Sequence, residues 1–191
     1  VGAIGPAATP AVALTSSTNW LMNGILAGVA IGFGVPVGNY IGANKIDRAR
    51  AVVRQSVLAI ALFGLALTAI MLCIAPYLPH WLGGEESICA DATRYISIVS
   101  LAYIATASVQ ICSNILRCTG DTATPLIFNV STNVINMVLN FLLIYEPREI
   151  TIFGSSFRIW GAGLGVSGAA IATAAATFFS GFMLLRAMFL D

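Results

Sequence analysis

FNVSTNVINMVLN, residues 128–140, lies within one of the most apolar stretches of the chain, yet it carries asparagine at positions 129, 133, 136 and 140. In a helix turning 100° per residue, Asn129, Asn133, Asn136 and Asn140 fall within an arc of roughly 60°. A row of amides facing acyl chains would leave donors and acceptors unpaired, at a cost of several kcal/mol per group. This face must therefore meet protein or water. A helix over 125–145 with such an inner side belongs to a bundle of helices in lipid.

Composition supports that reading. Of 191 residues, 58% are hydrophobic and only 9% are charged, with a mean hydropathy of +0.90. Soluble globular domains lie outside this range. Five runs, 21–40, 56–78, 95–116, 125–145 and 164–189, approach or exceed the roughly 20 residues needed to cross a hydrocarbon core. They lack the strict alternation, in segments of about ten residues, of a transmembrane barrel. The expected fold is all-α, a polytopic transmembrane bundle of about five spans forming one domain over 1–191.

Charges fall between the runs. Lys45, Arg48, Arg50, Arg54, Arg117 and Arg186 sort to one side, and only Arg94, Arg148 and Arg158 to the other. The excess of Lys and Arg on the cytoplasmic side predicts an external amino end, a cytoplasmic carboxyl end and a multi-pass protein of the cell inner membrane. Val1 is not an initiator, and VGAIGPAATPAVAL is no signal peptide. At least one upstream helix is expected, in a longer protein.

Other features point to packing more than to chemistry. REITIFGSSFRIWG, 148–161, alternates apolar residues around a Gly-Ser-Ser turn and predicts an external β-hairpin. Cys73, Cys89, Cys112 and Cys118 form no CxxC pair, and His80 stands beside Trp81 in a connection. No metal site, enzymatic group or nucleic-acid partner is expected. GLGVSG, 163–168, matches GxGxxG, but a membrane helix follows it and no acid appears before Asp191, so a dinucleotide fingerprint is rejected. Glycines at 24, 28 and 32, then 34, 38 and 42, repeat a spacing that permits close helix packing, and Pro36 predicts a kink.

The third run carries a polar line at Tyr103, Thr106, Gln110 and Ser113 or Asn114, and the fifth offers Thr173, Thr177 and Ser180. Three helices thus present polar groups to a shared space. Interhelical hydrogen bonding would account for a single amide, at about 0.6–2 kcal/mol each. Four on one face favour a hydrated transport cavity.

LRCTGDTATP, 116–125, resembles the connection before the fifth helix of the multidrug and toxic compound extrusion (MATE) transporters. INMVLNFLLIY, 135–145, and GLGVSGAAIATA, 163–174, follow in that family's order. VGNYIGANKIDRARAVV, 37–53, is similar to the end of its second helix, and VGAIGPAA, 1–8, to the segment after its first. The resemblance spans almost the whole chain and implies five helices of a six-helix amino-terminal lobe. The first helix and the carboxyl-terminal lobe would then lie elsewhere in the same protein.

The resemblance further implies a cation-coupled antiporter, driven by Na+ or H+, exporting small organic cations or drugs. It assigns Asn136 and Thr173 to a cation site and Gln110, Asn129, Asn133 and Asn140 to the adjoining cavity. Where the family can carry an aspartate, this chain has Asn140, which binds no proton. Proton coupling in this lobe would rest on an acid of the first helix, while amide and hydroxyl oxygens suit Na+. The alternatives are a lipid-linked oligosaccharide flippase of the same superfamily, which would place basic residues in the cavity, or an inactive membrane-protein fragment.

Overall fold

The computed structural model describes residues 8–84, 86–145, 148–152, 155–159 and 161–190. Seven helices and one hairpin follow in the order α1 (Ala8–Gly42), α2 (Ile46–Ile74), α3 (Leu78–Trp81), α4 (Glu86–Leu101), α5 (Tyr103–Thr119), α6 (Ala123–Ile144), β1 (Arg148–Ile152), β2 (Ser155–Ile159) and α7 (Gly165–Leu190). Four stretches, Thr15–Gly42, Ile46–Ile74, Ala123–Ile144 and Gly165–Phe189, are long and apolar enough to cross a membrane. The α4–α5 pair makes a fifth if counted as one bent span. The chain is a polytopic helical bundle, as its composition predicts.

Two boundaries differ from the sequence reading. α1 starts well before residue 21, because Thr15–Asn19 are polar and fall outside the apolar run yet continue the helix; it also runs unbroken through Pro36. The third run is not one straight helix over 95–116. It is two segments bent by 48° around Ala102, with neither Gly nor Pro at the break. A tight backbone turn and two side-chain hydroxyls bonded to backbone carbonyls coincide with the break. Ala102 N–H bonds the Val99 carbonyl at 3.0 Å, tightening the turn. Thr68 of α2 donates to the Ser100 carbonyl at 2.9 Å, and Thr106 to the Ala102 carbonyl at 3.1 Å. Hydroxyls that capture backbone carbonyls in this way bend helices.

α5 occupies the centre and packs on α1, α2 and α7. Its Tyr103, Ala107, Ile111, Cys112 and Ile115 are buried against Leu26 and Val37 of α1, Met71 of α2 and Leu184 of α7. Gly64 of α2 permits this approach: a Cβ there would lie 2.6 Å from the Ile104 Cα. The evenly spaced glycines of α1 divide. Gly34 and Gly38 lie against Asn114 and Cys118 of α5, whereas a Cβ added at Gly24, Gly28 or Gly32 would meet nothing within 4 Å. Leu58, Leu62 and Leu65 of α2 are exposed, as acyl-facing positions should be, and Leu126, Val130 and Met137 of α6 are exposed as well.

The turn LRCTGDTATP follows from its residues. Gly120 adopts φ 101°, a left-handed position that ends α5, and the Asp121 N–H returns to the Leu116 carbonyl at 3.0 Å. The Asp121 carboxylate then accepts from the N–H groups of Ala123 and Thr124 at 3.1 and 3.0 Å, opening α6. Asp121 thus serves the helix start. Hydrogen bonds from Thr124, side chain first and amide second, hold its carboxyl below the usual value of 3.8. A depressed folded-state pKa contributes stability above the unfolded value, which is lost as pH falls through the lowered one. Asp121→Ala should therefore lower the thermal midpoint in detergent near neutral pH. Its difference from wild type should shrink as pH is taken below about 3.9, and a pH-independent difference would refute the linkage.

α6 rests almost wholly on α7. The run before α7 closes this joint: Ala162, Gly163 and Leu164 N–H groups bond the carbonyls of Leu142, Tyr145 and Leu143, each at 2.9 Å. These are carbonyls that the end of a helix leaves unpaired. Gly163 reaches its position with φ 63°, so GLGVSG is a helix-joining device. β1 and β2 pair antiparallel, Arg148 with Ile159 and Ile152 with Ser155. The expected hairpin is present, but Ser155 and Ser156 belong to the strand: two residues separate the paired ends, and that loop length sets the register.

Candidate functional site

The polar residues of the middle of the bundle converge from four helices. Asn19 and Asn23 come from α1, Tyr103, Thr106 and Gln110 from α5, Asn129 and Thr132 from α6, and Thr173 and Thr177 from α7. Together with Val99 and Val109 they line a cavity of about 380 Å³. No charged side chain is among them. The bend at Ala102 matters here, because the α5 contributions begin immediately after it.

Hydrogen bonding orients the walls. Tyr103 donates its hydroxyl to Asn19 Oδ1 at 2.8 Å, tying α5 to α1. Asn23 Nδ2 donates to the Asn19 carbonyl at 2.8 Å. Thr132 donates to the Phe128 carbonyl at 2.6 Å, and Thr177 to that of Thr173 at 2.7 Å. These hydroxyls satisfy their donors on their own helices, which leaves oxygen lone pairs for whatever enters the cavity.

Beside the cavity, α6 and α7 are joined by a chain of amides and a hydroxyl. Asn140 Nδ2 donates to Asn136 Oδ1 at 2.8 Å. Asn136 Nδ2 donates to Thr173 Oγ1 at 3.2 Å, and Thr173 donates onward to the Ala169 carbonyl at 2.9 Å. Asn140 Oδ1 is buried with no hydrogen-bond partner among the described residues. A buried amide oxygen without a donor is costly. Oxygens so arranged can accept from a bound donor or coordinate a hard cation.

Of the residues singled out in the sequence, the structure brings Asn136, Asn140 and Thr173 into one hydrogen-bonded group and puts Gln110 and Asn129 on the cavity wall. Asn133 is apart. It is exposed, beside the exposed Val130, Val134 and Met137, because it stands at the edge of the 60° arc nearest the apolar face. Ser113 and Ser180 are buried and do not line the cavity, and among the described residues their Oγ atoms have no partner. Asn19, Asn23 and Thr132 were not singled out. The i, i+4 spacing of Asn19 and Asn23 was the available signal, hidden because Asn19 precedes the first apolar run.

Fold and site together define a multi-pass membrane protein with a polar cavity inside its bundle. The family model MatE matches residues 1–142. A curated relative, described as "Probable multidrug resistance protein NorM" of Thermotoga maritima, is 28% identical over 173 residues, covering 87% of this chain and 34% of the relative. Another, "Uncharacterized transporter YisQ" of Bacillus subtilis, is 26% identical over 168 residues, covering 86% of this chain and 34% of that protein. A solved structure of a MATE transporter in the bent conformation superposes with a TM-score of 0.86 at 23% identity, over 96% of this chain and 38% of that one. An inward-facing MATE multidrug transporter superposes at 0.84 with 22% identity, over 98% of this chain and 39% of its own. The chain belongs to the MATE family, and it spans about a third of the length of the curated relatives it matches.

Proposed function

We propose that this chain forms one lobe of a cation-coupled exporter that carries small organic cations or drugs across the cytoplasmic membrane. The observation that carries the reading is the Asn136–Asn140–Thr173 group, with a buried, unpartnered amide oxygen, beside a polar cavity. Amides and hydroxyls used only as glue between helices would satisfy each other. Here an acceptor is left over. The exposure of Asn133 adds support, since an amide on α6 would cost several kcal/mol against acyl chains, and so that flank is expected to meet water or further protein. The absence of charged groups from the cavity wall disfavours an anionic oligosaccharide as cargo.

Asn136, Asn140 and Thr173 exchange no proton near neutral pH. In this reading they hold Na+ directly, or they assist an acid elsewhere in the protein that carries H+. The test is the full-length protein in sealed vesicles, with ethidium as cargo and an imposed Na+ or H+ gradient. Uphill ethidium movement under either gradient, abolished when the gradient is collapsed, is the expected result. Ethidium equilibrating at the same rate with and without both gradients would refute the proposal.

A further inference from the structure

At the far end of the bundle, the ends of α1, α5 and α7 and the start of α2 enclose a second cavity of about 550 Å³, which shares no lining residue with the first. Its walls are apolar: Val37 and Ile41 of α1, Val53 of α2, Ile115 and Leu116 of α5 and Met188 of α7. Val37 and Ile115 are each only 1% exposed, so the inner wall is the core of the bundle itself. The polar part of the lining is different in kind. Arg50 and Arg54, both exposed, stand one helical turn apart on α2, and no carboxylate lines the cavity.

Two guanidinium groups four residues apart on one helix repel each other. A shared anion converts that repulsion into charge-assisted hydrogen bonds, for which the guanidinium fork is suited. The surroundings favour the same charge. Between Lys45 and Arg54 the sequence has four bases and one acid, Asp47, and Arg117 and Arg186 follow on α5 and α7. A free anion would use the arginines but not the apolar walls. A neutral tail would use the walls but not the arginines.

We propose that this cavity is a binding site for an anionic phospholipid, with its phosphate between Arg50 and Arg54 and part of an acyl chain against Val37, Val53 and Ile115. Basic pockets between membrane helices hold anionic head groups as a general class, and the volume lies within the range of about 300–1,000 Å³ of small-molecule sites. The proposal stands apart from the transport reading, since lipid retention needs neither cargo nor gradient.

The full-length protein, delipidated in mild detergent, would be titrated with dioleoyl-phosphatidylglycerol and, separately, dioleoyl-phosphatidylcholine, and its adducts counted by native mass spectrometry. Phosphatidylglycerol should bind roughly tenfold more tightly, and Arg50→Gln with Arg54→Gln should remove that preference. Val53→Trp, which keeps both arginines and fills the apolar part, should weaken phosphatidylglycerol too, while Arg94→Gln on α4 should not. Lipid-free melting temperatures establish that each variant is folded. Equal affinity for the two lipids, an unaltered double arginine variant, or displacement of the lipid by millimolar inorganic phosphate would each overturn the proposal. So would a wild-type protein that takes up no phosphatidylglycerol because another segment or partner fills the cavity.

Discussion

Gly168→Ala is expected to destabilise the protein by about 1–3 kcal/mol, the usual cost of forcing a methyl group into a packed interior. The added Cβ would lie 2.6 Å from the Leu143 carbonyl oxygen, 2.8 Å from its carbon and 3.2 Å from the Ile144 nitrogen. All three are backbone atoms, so no rotamer can yield and the end of α6 must retreat. The Leu143 carbonyl is also the acceptor for Leu164 N–H at 2.9 Å, and losing that bond adds about 1 kcal/mol. Gly28→Ala is the matched control. It has nothing within 4 Å, and alanine gains up to about 1 kcal/mol over glycine in a helix. Thermal unfolding in detergent should place the two variants on opposite sides of wild type; equal midpoints would refute the close α6–α7 approach.

Asn136→Leu separates glue from function by magnitude. Leucine removes the acceptor for Asn140 Nδ2 and the donor to Thr173 Oγ1, leaving the Asn140 amide bonded at neither end. A hydrogen bond between membrane helices contributes on average only about 0.6 kcal/mol, and an unpaired buried polar group costs about 1–3 kcal/mol. The protein should therefore remain folded with a modestly lowered midpoint. If Asn136 serves the cation, gradient-driven ethidium export should fall by roughly tenfold or more, since 1.4 kcal/mol corresponds to a factor of ten. Export at the wild-type rate, with only the midpoint lowered, would reduce Asn136 to a strut and remove the cation assignment.

Much of this architecture is readable from local chemistry. The connection 116–125 between two spans and a hairpin within 148–161 are visible before any coordinates, whereas the roles of Gly120 in ending α5 and of Asp121 in opening α6 come from the structure. The amide spacing likewise identifies the α6 face that reaches Thr173. What escapes is set by tertiary partners. The bend at Ala102 coincides with a hydrogen bond from a hydroxyl of α2, Thr68, which local sequence around residue 102 does not contain. Gly24 and Gly34 sit in the same kind of repeat, yet only the latter meets α5, because helical spacing says which residues share a face and not which face has a neighbour. Asn133 illustrates the same limit: about 40° of rotation from Asn129 decides between wall and exterior.

The three hydrogen bonds that seal the α6–α7 joint have a consequence for the strands beyond them. The chain between Tyr145 and Ala162 departs and returns at a clasp whose three bonds involve none of it, so the contact between α6 and α7 does not depend on the strands. Natural variation in the length of that excursion, or a reporter tag grafted at its tip, can be absorbed there while the spacing between Asn136 and Thr173 stays as it is.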